Sequence, residues 1–112
     1  MFVVKGKVDF DAHNVCVERT DHVENRYERE FIAMGLGRFE LVNSFIVDRG
    51  HANGDEIHSI YRNGVVCIVN CTTLKLITYL IARPGQLKRY GISDADMLKQ
   101  AYSYVVAGYN LI

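Results

Sequence analysis

The apolar positions of this chain change period along its length, and the change divides it into elements. Val23, Tyr27, Phe31 and Met34 recur at helical spacing. Thr20-Asp21 offers a cap in front of them, Asp21 with Glu24 has the form of a capping box, and Gly35 and Gly37 supply a stop. The spacing predicts a helix from Asp21 to Met34. Strand patterns follow. Phe39 to Asp48 alternates, with an interruption at Asn43 and Ser44. Ile57 to Arg62 and Val65 to Asn70 flank Asn63-Gly64, a pair that favours a two-residue type I′ hairpin. Leu76 to Ala82 is rich in β-formers, and Pro84-Gly85 ends it. Ser93 to Asp96 opens a closing helix with Met97, Ala101, Tyr102 and Val105 as its apolar stripe. In the first residues, Val3-Val4 with Val8 to Phe10, and Val15 to Val17, fit short strands on either side of a turn at Asp11 to Asn14. The fold class expected is α+β: a four-stranded or slightly larger antiparallel sheet, with an N-terminal and a C-terminal helix packed on one face.

The hairpin signal predicts a register. With Asn63-Gly64 as the loop, Arg62 faces Val65, Ile60 faces Cys67 and His58 faces Val69. Glu56, His58, Ile60 and Arg62 then share one face, and Ile57, Ser59 and Tyr61 the other. A four-residue loop from Cys71 to Leu74 sets Asn70 opposite Lys75, Val69 opposite Leu76 and Cys67 opposite Thr78. Thr78 would share the His58 face, on the order of 10 Å away. Lys75, Ile77, Tyr79, Ile81 and Arg83 would point the other way. A loop one residue longer reverses that last strand.

Composition narrows the class. A chain of 112 residues, 49% of them hydrophobic, is long enough for one domain with one core. No apolar run approaches the roughly 18–20 residues of a membrane span. The opening Met1 to Lys7 is too short and too soon charged for a secretory signal, so a cytoplasmic location is expected. Cys16, Cys67 and Cys71 form no Cys-x-x-Cys pair and read as reduced, buried thiols. Charge balances at 13 basic and 13 acidic residues, but unevenly. Arg62, Lys75, Arg83, Lys88 and Arg89 lie between Ile57 and Ser93 with no Asp or Glu among them. A neutral chain with one acid-free basic segment points to a local polyanion site.

Candidate chemistry gathers in the same region. The loop Asp48 to Asp55 carries two glycines and His51, and His58 follows on the next strand. Two histidines beside cations suit metal-independent RNA cleavage. One imidazole removes the 2′-hydroxyl proton, the other protonates the leaving 5′-oxygen, and cations stabilise the phosphorane. On this reading His58 and His51 are the base and acid, and Lys75 and Arg83 stabilise charge. Thr78, Gln86, Lys88 and Arg89 hold the substrate, and Tyr90 stacks on a base. No cofactor is expected. A metal held by the histidines with Asp48, Asp55 or Glu56 matches no zinc or iron spacing. Taken alone, His58 reads first as a strand histidine paired to Glu56 or a carbonyl.

The segments Asp48 to Ile60 and Lys75 to Gln86, with His22 to Arg29 upstream, resemble small proteins of Gram-positive phages and plasmids. These in turn resemble the barnase–EndoU–colicin–RelE superfamily of ribonuclease-type folds. The resemblance covers Asp21 to Tyr90. It implies a helix followed by a four-stranded antiparallel sheet, and a toxin-type endoribonuclease with RNA as its substrate. A cognate inhibitor or host protein is a further expected partner, as is a second copy of the chain. The alternative is an accessory protein of a mobile element that binds nucleic acid or a host protein through the same basic surface, without catalysis.

Overall fold

The computed structural model describes residues 3–15, 40–50 and 52–108. Five strands form one antiparallel sheet: β1 (Val3–Val8), β2 (Leu41–Asp48), β3 (Glu56–Tyr61), β4 (Val65–Asn70) and β5 (Leu76–Ile81). Their order in space is their order in sequence. Two helices follow, α1 (Pro84–Arg89) and α2 (Ala95–Val106). The architecture is therefore α+β, with β1 completing a sheet one strand larger than four. The helix expected over Asp21 to Met34 lies outside the described residues, as does most of the expected Val15 to Val17 strand.

The β3–β4 connection differs from the expected two-residue turn. Ser59 pairs with Cys67 and His58 with Ile68, so the loop is Arg62-Asn63-Gly64. Gly64 donates its N–H to the Tyr61 carbonyl at 2.9 Å and has φ of 86°. A type I′ turn requires positive φ at both central residues, and here only the glycine has it. The chain makes a three-residue loop closed by a left-handed glycine, and β4 moves by one residue against β3.

The next hairpin begins as expected. Asn70 accepts the N–H groups of Thr72 and Thr73 on its side-chain oxygen, its own N–H bonds the Lys75 carbonyl at 2.9 Å, and Val69 faces Leu76. The register then shifts, because Ile68 faces Thr78 and Cys67 faces Tyr79. Ile77 is thus the extra residue of a β-bulge. The bulge reverses the parity of β5 part-way along. Thr78 lies in the His58–Ile68 row, and Lys75, opposite Asn70, lies on that same side rather than across the sheet.

Both faces of the sheet are buried, and all six residues of β3 are buried. On one face, Phe45, Val47, Ile60, Val66, Ile68 and Leu80 pack against Leu87, Tyr90, Ile92, Met97 and Ala101 from the helical segment. On the other, Ile57, Tyr61, Val65, Cys67, Val69, Leu76 and Tyr79 pack with Ala12, Val8 and Phe10. Burial on both sides explains why β4 reads Val-Val-Cys-Ile-Val, an unbroken apolar run, rather than alternating.

The helices begin where side chains satisfy their first N–H groups. Pro84 ends β5 and also starts α1, where its missing N–H costs nothing and its fixed φ suits the first helical position. Asp94 caps α2 by accepting the Met97 N–H at 3.0 Å. The apolar stripe of α2 is narrower than expected. Met97 and Ala101 are buried, but Tyr102 is 64% exposed and Val105 is exposed as well. Cys67 is buried and Cys71 half-buried. Among the described residues no helix is long and apolar enough to cross a membrane.

Candidate functional site

Glu56 and His58 are two apart on β3, so their side chains emerge on the same face. That is the face covered by the helices. His58 is 0% exposed, and both of its ring nitrogens are engaged. Nε2 lies 2.9 Å from Glu56 Oε1, and Nδ1 lies 2.6 Å from the Tyr90 hydroxyl. A carboxylate only accepts, so Nε2 carries the hydrogen and Nδ1 accepts from the tyrosine. Tyr90 ends α1, stacks on Phe45 with ring centroids 5.7 Å apart, and is 4% exposed. Arg49 Nε stands 4.0 Å from the same Glu56 oxygen.

Electrostatics in this cluster favour the neutral ring. Burial holds the His58 pKa below its ordinary value, the bond to Glu56 works against that shift, and the Arg49 charge adds to it. Burial also pushes the Tyr90 phenol up, so it stays a donor. The relay Tyr90–His58–Glu56 is thus a chain of satisfied hydrogen bonds running through the core to a carboxylate.

The carboxylate end reaches the surface. Glu56 keeps 9% of its surface exposed and lines a cleft of about 520 Å³, together with Asn53, Gly54, Asn70, Thr73, Lys75 and Ile77. Asn70 braces this cleft by donating its side-chain amide to the Asn53 carbonyl at 3.2 Å. Nearby, the extra residue of a bulge in β1, Lys5, is aimed at Asp55 and pairs with it at 2.9 Å. That bond holds the Lys5 pKa above its ordinary value.

The structure separates much of what the sequence grouped. His51 lies outside the described residues. Lys75 and Arg83 are exposed at opposite ends of β5, roughly 25 Å of extended chain apart. They do not converge on His58. Thr78 is half-buried and donates its hydroxyl to the Tyr79 carbonyl at 3.1 Å. Gln86 accepts the Arg83 N–H at 2.8 Å and so serves the start of α1. Lys88 and Arg89 are exposed on α1. Tyr90, expected to stack on a base, stacks on Phe45 inside the protein. Arg62 is drawn away from the other cations, to Asp94 at 3.2 Å and Glu40 at 3.8 Å. Among the described residues no three of His, Cys, Asp and Glu are grouped to hold a metal ion.

A second polar cluster, on the opposite face, is absent from the sequence reading. The Ser44 and Ser59 hydroxyls are 2.8 Å apart on paired strands, and both bond the Phe10 carbonyl. Tyr61 donates to Asp11 at 2.6 Å and accepts the His13 N–H at 2.8 Å. Burial and that carboxylate raise the Tyr61 pKa, and the donors around Asp11 lower that of the acid. These bonds pin the segment after β1 to the sheet. Their signal was Asn43-Ser44, polar residues interrupting an apolar strand. No protein-family model, curated protein or solved structure matches the chain.

Proposed function

We propose that the protein binds nucleic acid along the edge formed by β5 and α1, holding the phosphate backbone without cutting it. The observation that carries this reading is the exposure of Lys75, Arg83, Lys88 and Arg89 along one continuous stretch of chain, with no Asp or Glu between Ile57 and Ser93. Roughly 25 Å of edge between Lys75 and Arg83 accommodates several nucleotides. A polyanion releases counterions when it meets such a run of exposed cations, and that release favours association. Arg62 lies outside this strip, beside Asp94 at 3.2 Å and Glu40 at 3.8 Å.

The environment of His58 supports binding over cleavage. An imidazole sealed in the core, with a partner on each nitrogen, has no route to a 2′-hydroxyl. The likeness of Asp48 to Ile60 and Lys75 to Gln86 to small phage and plasmid proteins of ribonuclease-type fold supports RNA as the partner and a mobile-element setting, as an accessory protein.

Fluorescence anisotropy with a labelled single strand of about twelve nucleotides tests the reading. Four phosphate contacts give a slope of log affinity against log salt of about −3. Replacing Lys75, Arg83, Lys88 and Arg89 by Gln is expected to abolish that slope. No binding at low salt, or an unchanged slope in the variant, overturns the proposal. Scission of the RNA by the wild-type protein in EDTA would reinstate the endoribonuclease.

A further inference from the structure

Glu56 is out of place on a surface meant for phosphate. Its carboxylate is nine-tenths buried, lines the cleft, and shares that cleft with Lys75, the first cation of the strip. A carboxylate repels phosphate and can only accept a hydrogen bond. It therefore needs a donor on whatever sits next to the phosphate at Lys75. A nucleic-acid backbone offers one such donor, the 2′-hydroxyl of ribose, and DNA lacks it. We propose that the cleft is a ribose subsite, in which Glu56 accepts the 2′-hydroxyl of the nucleotide whose phosphate is held at Lys75, so that the protein selects RNA over DNA. The inference rests on the phosphate-strip reading above.

The surroundings fit this use. The cleft, about 520 Å³, is within the range that holds a nucleotide-sized ligand. The His58 ring at 2.9 Å and Arg49 at 4.0 Å both address Oε1 of Glu56. That fixes the carboxylate from its buried side and leaves Oε2 to the cleft. His58 and Tyr90 are positioning residues here, since they hold the carboxylate from behind and touch no ligand. Asn70 keeps the Asn53-Gly54 wall in place through its bond to the Asn53 carbonyl.

The test compares three single strands of equal length and base sequence on the wild-type protein: RNA, DNA and 2′-fluoro RNA. The fluoro sugar keeps the pucker of RNA but has no hydrogen to donate. A hydrogen bond to a charged acceptor corresponds to about a tenfold preference or more. RNA is expected to bind at least about tenfold more tightly than either analogue. In Glu56→Gln, whose amide oxygen still accepts from His58, the preference is expected to shrink severalfold while DNA binds as before or better. Equal affinity for RNA and its fluoro analogue overturns the inference and leaves the phosphate strip intact. Binding of none of the three overturns both. The oligonucleotide comparison stands even where the variant fails to fold.

Discussion

His58 is the residue whose role changes most between sequence and structure. Beside a basic segment it reads as a general base; inside the sheet it is the middle of a three-residue relay. The pair Glu56-x-His58 was legible as two side chains on one strand face, because the period of a strand is two. Tyr90 was not, since it is 32 residues away and arrives only through the turn after β5. The relay has a measurable consequence. Tyr90→Phe keeps the stack on Phe45 but leaves His58 Nδ1 without its donor in a site closed to water. Loss of about 1–2 kcal/mol is expected in a urea titration. An unchanged midpoint would remove that hydrogen bond from the account.

Among the elements, two single-residue irregularities decide which side chains meet. The three-residue loop at Arg62-Asn63-Gly64 shifts β4, and the bulge at Ile77 shifts the rest of β5 back. In consequence Thr78 shares the His58 face as the sequence register had it, though in a different row. Lys75 precedes the bulge and lies on the Glu56 side, two strands away across Asn70, where a regular strand would have sent it across the sheet. Gly64 tests the loop directly. Its φ of 86° is strained for any residue with a Cβ, although the space around it is open, with Tyr104 at 3.8 Å. Gly64→Ala is therefore expected to cost about 1–2 kcal/mol by thermal or urea unfolding. A variant as stable as the wild type would mean that the turn is of another type. The strands and their approximate ends were readable from apolar runs and turn residues. The turn type was not, because Asn-Gly serves both connections and the choice depends on how the strands twist and pack.

For the whole molecule, the buried ring and the acid of the second cluster link stability to pH in different windows. Burial lowers the folded pKa of His58 below its unfolded value near 6.5. Between the two values the unfolded chain binds more protons, so stability rises with pH there and falls as pH drops from about 7 toward 5. Asp11, held down by Tyr61 and Asn14, contributes stability above its unfolded pKa of about 3.8 and loses it as pH falls further. Urea midpoints across this range are expected to decline in two stages. His58→Gln, which does not titrate, should flatten the upper stage and leave the lower one. A wild-type midpoint independent of pH between 7 and 5 would contradict a neutral His58 in the fold.

The amino-acid sequence alone determined the α+β class, the four strands from Leu41 to Ile81, a short strand in the first residues, the closing helix and the acid-free basic segment. Each of these depends on local period, turn chemistry or simple counting. Tertiary structure decided the rest. It set β1 beside β2 at the sheet edge, made Pro84 a helix start as well as a strand stop, and sealed His58 and Tyr90 in the core. It also brought Glu56 and Lys75 to one cleft. The physical reason is that side-chain partnership across a sheet depends on register, and register changes with a single inserted residue that no periodicity announces.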